Sequence, residues 1–178
     1  MIVDNFFHRA AHIDIDGENQ IDLSLNFNSN RKTASKIFGY GWWFGLTDSY
    51  IVKDTRDSYK FVMPDNDNII LKRSYKNKKL FETKSKNWIL EEIPNGFSVT
   101  GSCGVIFIFK RNFLNQVKYS NGTTLFFEYE GGNLKQINAK GTPIVSFRYD
   151  KRGTIYMDFA KEKRTIRFKV SEVSGYGK

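Results

Sequence analysis

Phe127-Glu128-Tyr129-Glu130-Gly131-Gly132-Asn133-Leu134 and Phe147-Arg148-Tyr149-Asp150-Lys151-Arg152-Gly153-Thr154-Ile155 decide the fold of this chain. In each, an aromatic-x-Tyr strand runs into turn residues and then into a strand carrying Leu or Ile. The two begin twenty residues apart, and Phe107-Ile108-Phe109 stands twenty residues before the first. Leu114, Leu134 and Ile155 follow at almost the same interval, and Phe168 begins a further copy. A hairpin cannot bury its apolar face alone, so repeated hairpins must stack or join into one sheet. The period therefore predicts a meandering antiparallel sheet that could extend beyond residue 178.

Strand signals continue upstream. Ile13 and Ile15 alternate with Asp14 and Asp16, and after Gly17 so do Ile21, Leu23, Leu25 and Phe27 with Asp22, Ser24 and Asn26. A period of two means a strand with one wet face. Further short strands are expected near 50–54, 59–63, 68–73, 79–82, 88–92 and 97–100. Asn95-Gly96 and Asn121-Gly122 are read as tight hairpin turns in which both residues take positive φ. Ile37-Phe38-Gly39-Tyr40-Gly41-Trp42-Trp43-Phe44-Gly45-Leu46 interleaves bulky aromatics with glycines, which suits close backbone approach and poorly suits a helix. Residues 1–12 are ambiguous, and Phe6, Phe7, Ala10 and Ala11 could form a short helical turn; no amphipathic helix longer than two turns is evident after residue 20. The expected fold class is all-β: an antiparallel meander of stacked hairpins forming a twisted, open sheet. Residues 1–12 are an N-terminal segment, 13–100 an aromatic and glycine-rich β region, and 101–178 the hairpin repeats, in one continuous domain.

Bulk properties agree. The 178 residues are 40% hydrophobic and 16% aromatic, enough for one substantial core and rich in sheet-forming side chains. A net charge of +9 opens the question of polyanion partners, although lysine also keeps β-rich surfaces soluble and sheet edges unpaired. The lone Cys103 excludes an intrachain disulfide and a cysteine-rich metal site. No secretory signal is expected from the N-terminus, and no stretch approaches the roughly 18 apolar residues of a helical membrane span.

Taken in order, these residues resemble the Rhs/YD-repeat shell family. Phe147 to Ile155 is similar to a YD repeat, with Tyr149, Asp150 and Gly153 at its signature positions, and Tyr129 holds the equivalent place with Glu130 for the Asp. Gly17, the strand to Phe27, Asn28-Ser29 and Phe38-Gly39-Tyr40-Gly41-Trp42 resemble the segment that precedes the repeats, with Phe27 in place of a Tyr. Where the family has an Asp-Gly turn, this chain has Asp65-Asn66-Asp67-Asn68. The resemblance implies part of a sheet that spirals into a shell around a toxic or otherwise active cargo domain. Such shells are much longer than this chain.

Candidate chemistry is sparse. His8 and His12 have the i, i+4 spacing of a helical zinc pair, but Arg9 replaces the glutamate a protease needs and no third ligand is evident. Asp14, Asp16 and Asn19 lack the glycine position and terminal Glu of a calcium loop. Asp65 with Asp67 and Glu91 with Glu92 suit turns and surface. Cys103, with no nearby His, is read as a small core residue. Asn121-Gly122-Thr123 forms a glycosylation sequon but is explained as a turn. The expected function is a non-catalytic structural or interaction module, with no cofactor or metal and with a protein partner or a continuation of its own shell. Self-association is expected through a terminal strand around Thr165 to Val170. The alternative is nucleic-acid or other polyanion binding by Lys72, Arg73, Lys76, Lys78, Lys79, Lys84 and Lys86, beside Tyr75, Phe81 and Trp88. Lys161, Lys163, Arg164, Arg167 and Lys169 would reinforce that patch only on a shared face. A carbohydrate-binding or hydrolytic β-domain is a third possibility, resting on exposed aromatics and scattered acids.

Overall fold

The computed structural model describes residues 7–11, 25–28, 34–35, 38–64 and 67–169, and every regular element among them is a strand. Five short strands come first: β1 (Phe7–Ala11), β2 (Leu25–Asn28), β3 (Ala34–Ser35), β4 (Gly39–Tyr40) and β5 (Trp42–Phe44). The long meander follows with β6 (Tyr50–Thr55), β7 (Ser58–Val62), β8 (Asn68–Arg73), β9 (Leu80–Glu82), β10 (Ile89–Ile93) and β11 (Gly96–Thr100). It continues through β12 (Ile106–Lys110), β13 (Phe113–Lys118), β14 (Thr124–Glu130), β15 (Asn133–Ala139), β16 (Thr142–Tyr149), β17 (Thr154–Phe159) and β18 (Arg164–Lys169). β6 to β18 form one 13-stranded sheet in strict sequence order, each strand antiparallel to the next. The sheet is open, with β6 at one edge and β18 at the other. β1, β2 and β5 make a second sheet, and β3 pairs with β4.

The strands expected between 50 and 100 all form. Of the two readings open for residues 1–12, the helical turn does not form near Phe7: Phe7–Ala11 is a strand paired with β2, from Phe7 opposite Asn28 to Arg9 opposite Asn26. An isolated helical turn fixes several dihedrals for one hydrogen bond, so an available partner strand wins. The strand expected over 13–16 and the start of the one over 21–27 lie outside the described residues.

Turn chemistry sets the register. Arg111-Asn112, Gly131-Gly132 and Lys140-Gly141 are two-residue turns with positive φ at both positions, the backbone that matches strand twist. The two dipeptides read as such turns behave otherwise. At the first, Pro94-Asn95 makes the turn and only Asn95 has positive φ, while Gly96 is already strand. A Cβ on Gly96 would collide with the Phe109 carbonyl. At the second, the Gly122 amide donates to the Tyr119 carbonyl and the Tyr119 amide to Thr123, so Gly122 alone is left-handed. The loops 101–105 and 150–154 repeat this hydrogen-bond pattern, with Gly104 and Gly153 at the left-handed position.

One face of the sheet is buried and the other is wet. Phe61 on β7 lies 5.3 Å from Phe107 and 5.8 Å from Phe109, both on β12. Those strands are five steps apart, about 24 Å in a flat sheet. The apolar face must therefore be curled tightly on itself. Trp88, between β9 and β10, joins the cluster 5.6 Å from Phe61, and the Gly101 backbone passes beneath its ring, where a Cβ would approach to 3.1 Å.

Phe61→Ala should cost about 3–5 kcal/mol, because the ring fills the inside of the curl and is fully buried. Urea unfolding measures this; a loss below about 1 kcal/mol would contradict the packing.

Candidate functional site

The aromatic segment sits inside the curve of the last strands. Phe38 is buried, with its ring 6.3 Å from Phe44 and 5.6 Å from Phe168 on β18. Trp42 stacks edge-on against Phe168 at 4.9 Å, and Phe44 meets Phe147 on β16 at 5.5 Å. Gly39 and Tyr40 pair through their backbones with Ser35 and Ala34. Gly41 has φ +78°, its carbonyl accepts the Asn28 amide at 2.8 Å, and an added Cβ would lie 2.6 Å from the Phe27 ring. Glycine is needed here on two counts, handedness and space. The segment is thus an internal anchor for β16 and β18.

Tyr129 and Tyr149 do related work one repeat apart. Pairing between β13 and β14 runs only from Lys118–Thr124 to Gln116–Phe126, and beyond that rung the two hairpins no longer pair. A bulge at Asn115 marks the departure. Across the gap the Tyr129 hydroxyl donates to the Leu114 carbonyl at 3.1 Å, while its ring packs 4.7 Å from Phe113. The next gap is built alike: β15 and β16 stop pairing at Gln136–Ser146, Lys135 is the bulge, and Tyr149 donates to the Leu134 carbonyl at 2.7 Å. Burial raises both phenols, Tyr149 to about 12, and the charge of Asp48 pushes Tyr129 further, so both hydroxyls keep the proton they donate. β11 and β12 pair along their whole length, and the corresponding residue there is Phe109, without a hydroxyl. Tyrosine stands where hairpins separate.

Asp150 shapes the turn after Tyr149. Its Oδ1 accepts the amides of Arg152 and Thr154, each at 2.8 Å, and Gly153 takes the left-handed position. The Thr154 amide above all holds the Asp150 carboxyl below its ordinary value. Asn121 accepts the Thr123 amide at 2.8 Å in the matching loop, which accounts for the sequon as turn chemistry.

The basic run 72–86 is not one patch. Lys72 lies on the wet face opposite Glu82. Arg73, the next residue, projects to the other side, donating to Asp57 at 2.9 Å and to the Lys78 carbonyl, with its guanidinium 4.8 Å from the Phe81 ring. Lys76, Lys78 and Lys79 occupy the β8–β9 connection, whereas Lys84 and Lys86 occupy the β9–β10 connection at the opposite end of the sheet. Arg164, Arg167 and Lys169 are on β18, with nine strands between it and β8, and Lys161 and Lys163 are in the loop before it. The two basic clusters are not neighbours in the sheet.

Cys103 is not a core residue. It is exposed in the 101–105 hairpin loop, because the residues before a left-handed Gly104 form the tip rather than the strand. His8 is on strand β1, so its spacing to His12 is not helical there, and His12 lies outside the described residues. Asp14, Asp16, Asn19 and Asp65 also lie outside them. Glu92 accepts the Tyr59 hydroxyl at 2.7 Å, and burial together with this bond raises that phenol to about 12. No group of three or more metal-ligating side chains occurs among the described residues. Sequence reading missed the Tyr–carbonyl staples and the Arg148 pair with Asp158, bidentate at 2.7 and 3.1 Å. The recurrence of Tyr at the repeat interval was the available signal for the staples. Among known proteins, no family model matches the chain and no curated protein matches it.

Tyr129→Phe and Tyr149→Phe should each lower stability by about 1 kcal/mol, the worth of one such bond, in urea titrations. No change in either would remove the staples from the account. The depressed Asp150 pKa gives support that is present above its ordinary value of 3.8 and lost as pH falls through the lower folded value. Asp150→Asn should keep the turn and abolish that acid dependence, whereas Asp150→Ala should loosen it at neutral pH. Amide exchange at Arg152 and Thr154 between pH 2 and 5 checks both; an unchanged acid response in Asp150→Asn would contradict the assignment.

Proposed function

We propose that this chain is a non-catalytic structural and interaction module: a piece of sheet of the Rhs/YD-repeat shell type, plugged on its concave side by its own aromatic segment and completed at its edges by further strands. The observation that carries this reading is the open 13-stranded meander, whose repeat hairpins are joined by matched Tyr–carbonyl staples. A hairpin array adds units without changing its interior, so it serves as wall rather than as a cleft for chemistry. Phe38, Trp42 and Phe44 occupy the inside of the curve, which suits an anchored end of such a wall better than a stretch surrounding cargo. Its partner on this reading is protein: another shell segment, or the domain such a shell encloses.

The second reading, polyanion binding, draws on Tyr75, fully exposed beside Lys76 and Lys78 in the β8–β9 connection. Against it, Arg73 is committed to Asp57, Lys72 lies opposite Glu82, and the remaining lysines are divided between two ends of the sheet.

Light scattering on a size-exclusion column, at low and high salt and with mixed oligonucleotides, separates the two. The module should assemble beyond a monomer, insensitive to salt and indifferent to the oligonucleotides. A monomer that shifts with oligonucleotide only at low salt would replace this reading with the polyanion one.

A further inference from the structure

The two edges of the long sheet differ in what they offer. β18 carries Arg164, Arg167 and Lys169 with no acid, the charged edge that natural sheets use against unwanted pairing. Its inward Phe168 is already covered by Phe38 and Trp42. β6 is unguarded. Among the described residues it pairs only with β7, and five of its six residues are exposed, Ile51 alone being half-buried. Lys53 and Asp54 cancel in charge.

Its wet face is apolar where a partner would meet it. Tyr50 and Val52 are 42% and 43% exposed, and Ile70, which shares the row of Val52 across Lys60, is 48% exposed. The Lys60 ammonium is drawn along the strand to Asp54, at 3.5 Å, leaving the row between Val52 and Ile70 to its aliphatic stem.

We propose that two copies of the chain pair antiparallel through β6 about a two-fold axis at Val52. This inference rests on the reading of the chain as a sheet that further strands complete, and it names the first such strand. In this register Val52 faces Val52 of the second copy, Tyr50 faces Asp54, and Ile51 faces Lys53. The Tyr50 hydroxyl is then placed to donate to the opposite Asp54 carboxylate. Sliding one copy by two residues opposes Lys53 to Lys53; sliding it the other way leaves only Tyr50 to Val52 overlapped within the strand. Charge and overlap therefore choose the same register. The apolar row becomes continuous across the axis, from Ile70 through both valines to the second Ile70. The pairing is isologous, so it closes as a dimer rather than growing into a fibre. The expected self-association thereby moves from the terminal strand to β6.

The test uses the full chain with Cys103→Ser, which removes its only cysteine. Val52→Cys in that background should oxidise to a disulfide-linked dimer, while Thr165→Cys on β18 should not. In parallel, Val52→Lys, an exposed change on the wet face, should weaken dimerisation at least tenfold by sedimentation equilibrium with an unchanged circular dichroism spectrum. Equal cross-linking at both positions, or an unaltered dissociation constant in Val52→Lys, would overturn pairing through β6. If the wild type assembles while Val52→Lys assembles equally well, the β6 pairing falls and the shell-module reading stands. If the wild type is monomeric at every concentration, both fall.

Discussion

Phe61 touches Phe107 and Phe109 across the inside of a sheet in which their strands are five places apart. Much of the rest follows from that contact. A meander with one apolar face has to hide it, and the described residues contain no helix to lay against it. The sheet covers itself instead. The first half bends until β7 lies over β12, and the second half closes over the small sheet carrying Trp42 and Phe44. Burying each of these phenylalanines contributes about 1.5–3 kcal/mol, so a handful of rings is enough to select the curl over a flat sheet.

Curling has a geometric consequence. Neighbouring hairpins cannot stay paired along their whole length while the sheet bends, and bulges at Asn115 and Lys135 mark where they part. The Tyr129 and Tyr149 hydroxyls reach across those gaps to carbonyls of the preceding hairpin. Aromatic-x-Tyr is thus a device with two ends: the first ring enters the core and the second ties one unit to the one before. Asp150 adds the turn that sends the chain back. An array built this way can be lengthened by repeating a unit, and that property suits a shell wall and gives its exposed edges their importance.

Much of this was legible beforehand. Short apolar runs between turn residues located β6 to β11 within a residue or two, and the twenty-residue interval located β12, β14 and β16 as alternate strands of one sheet. What escaped reading depends on partners distant in sequence. Phe7–Ala11 is a strand because β2 lies alongside it, a fact no local propensity carries. The lysines at 76–79 and 84–86 look contiguous, yet β9 is only three residues long and sends them to opposite ends. Pro94-Asn95 displaced the expected turn by one position, because proline already fixes the first turn dihedral. The tyrosines were recognised as a recurring signature, but the carbonyl each one meets lies fifteen residues back and becomes near only through the splay of the hairpins.

The central claim, that the sheet is curled with β7 over β12, can be tested by nuclear Overhauser spectroscopy on protein labelled at phenylalanine. Ring protons of Phe61 should show strong cross-peaks to those of Phe107 and Phe109, whose centroids lie 5.3 and 5.8 Å away. Their absence, with the β11–β12 and β12–β13 ladder contacts intact, would mean a sheet that stays open with these rings about 24 Å apart, and would contradict the account.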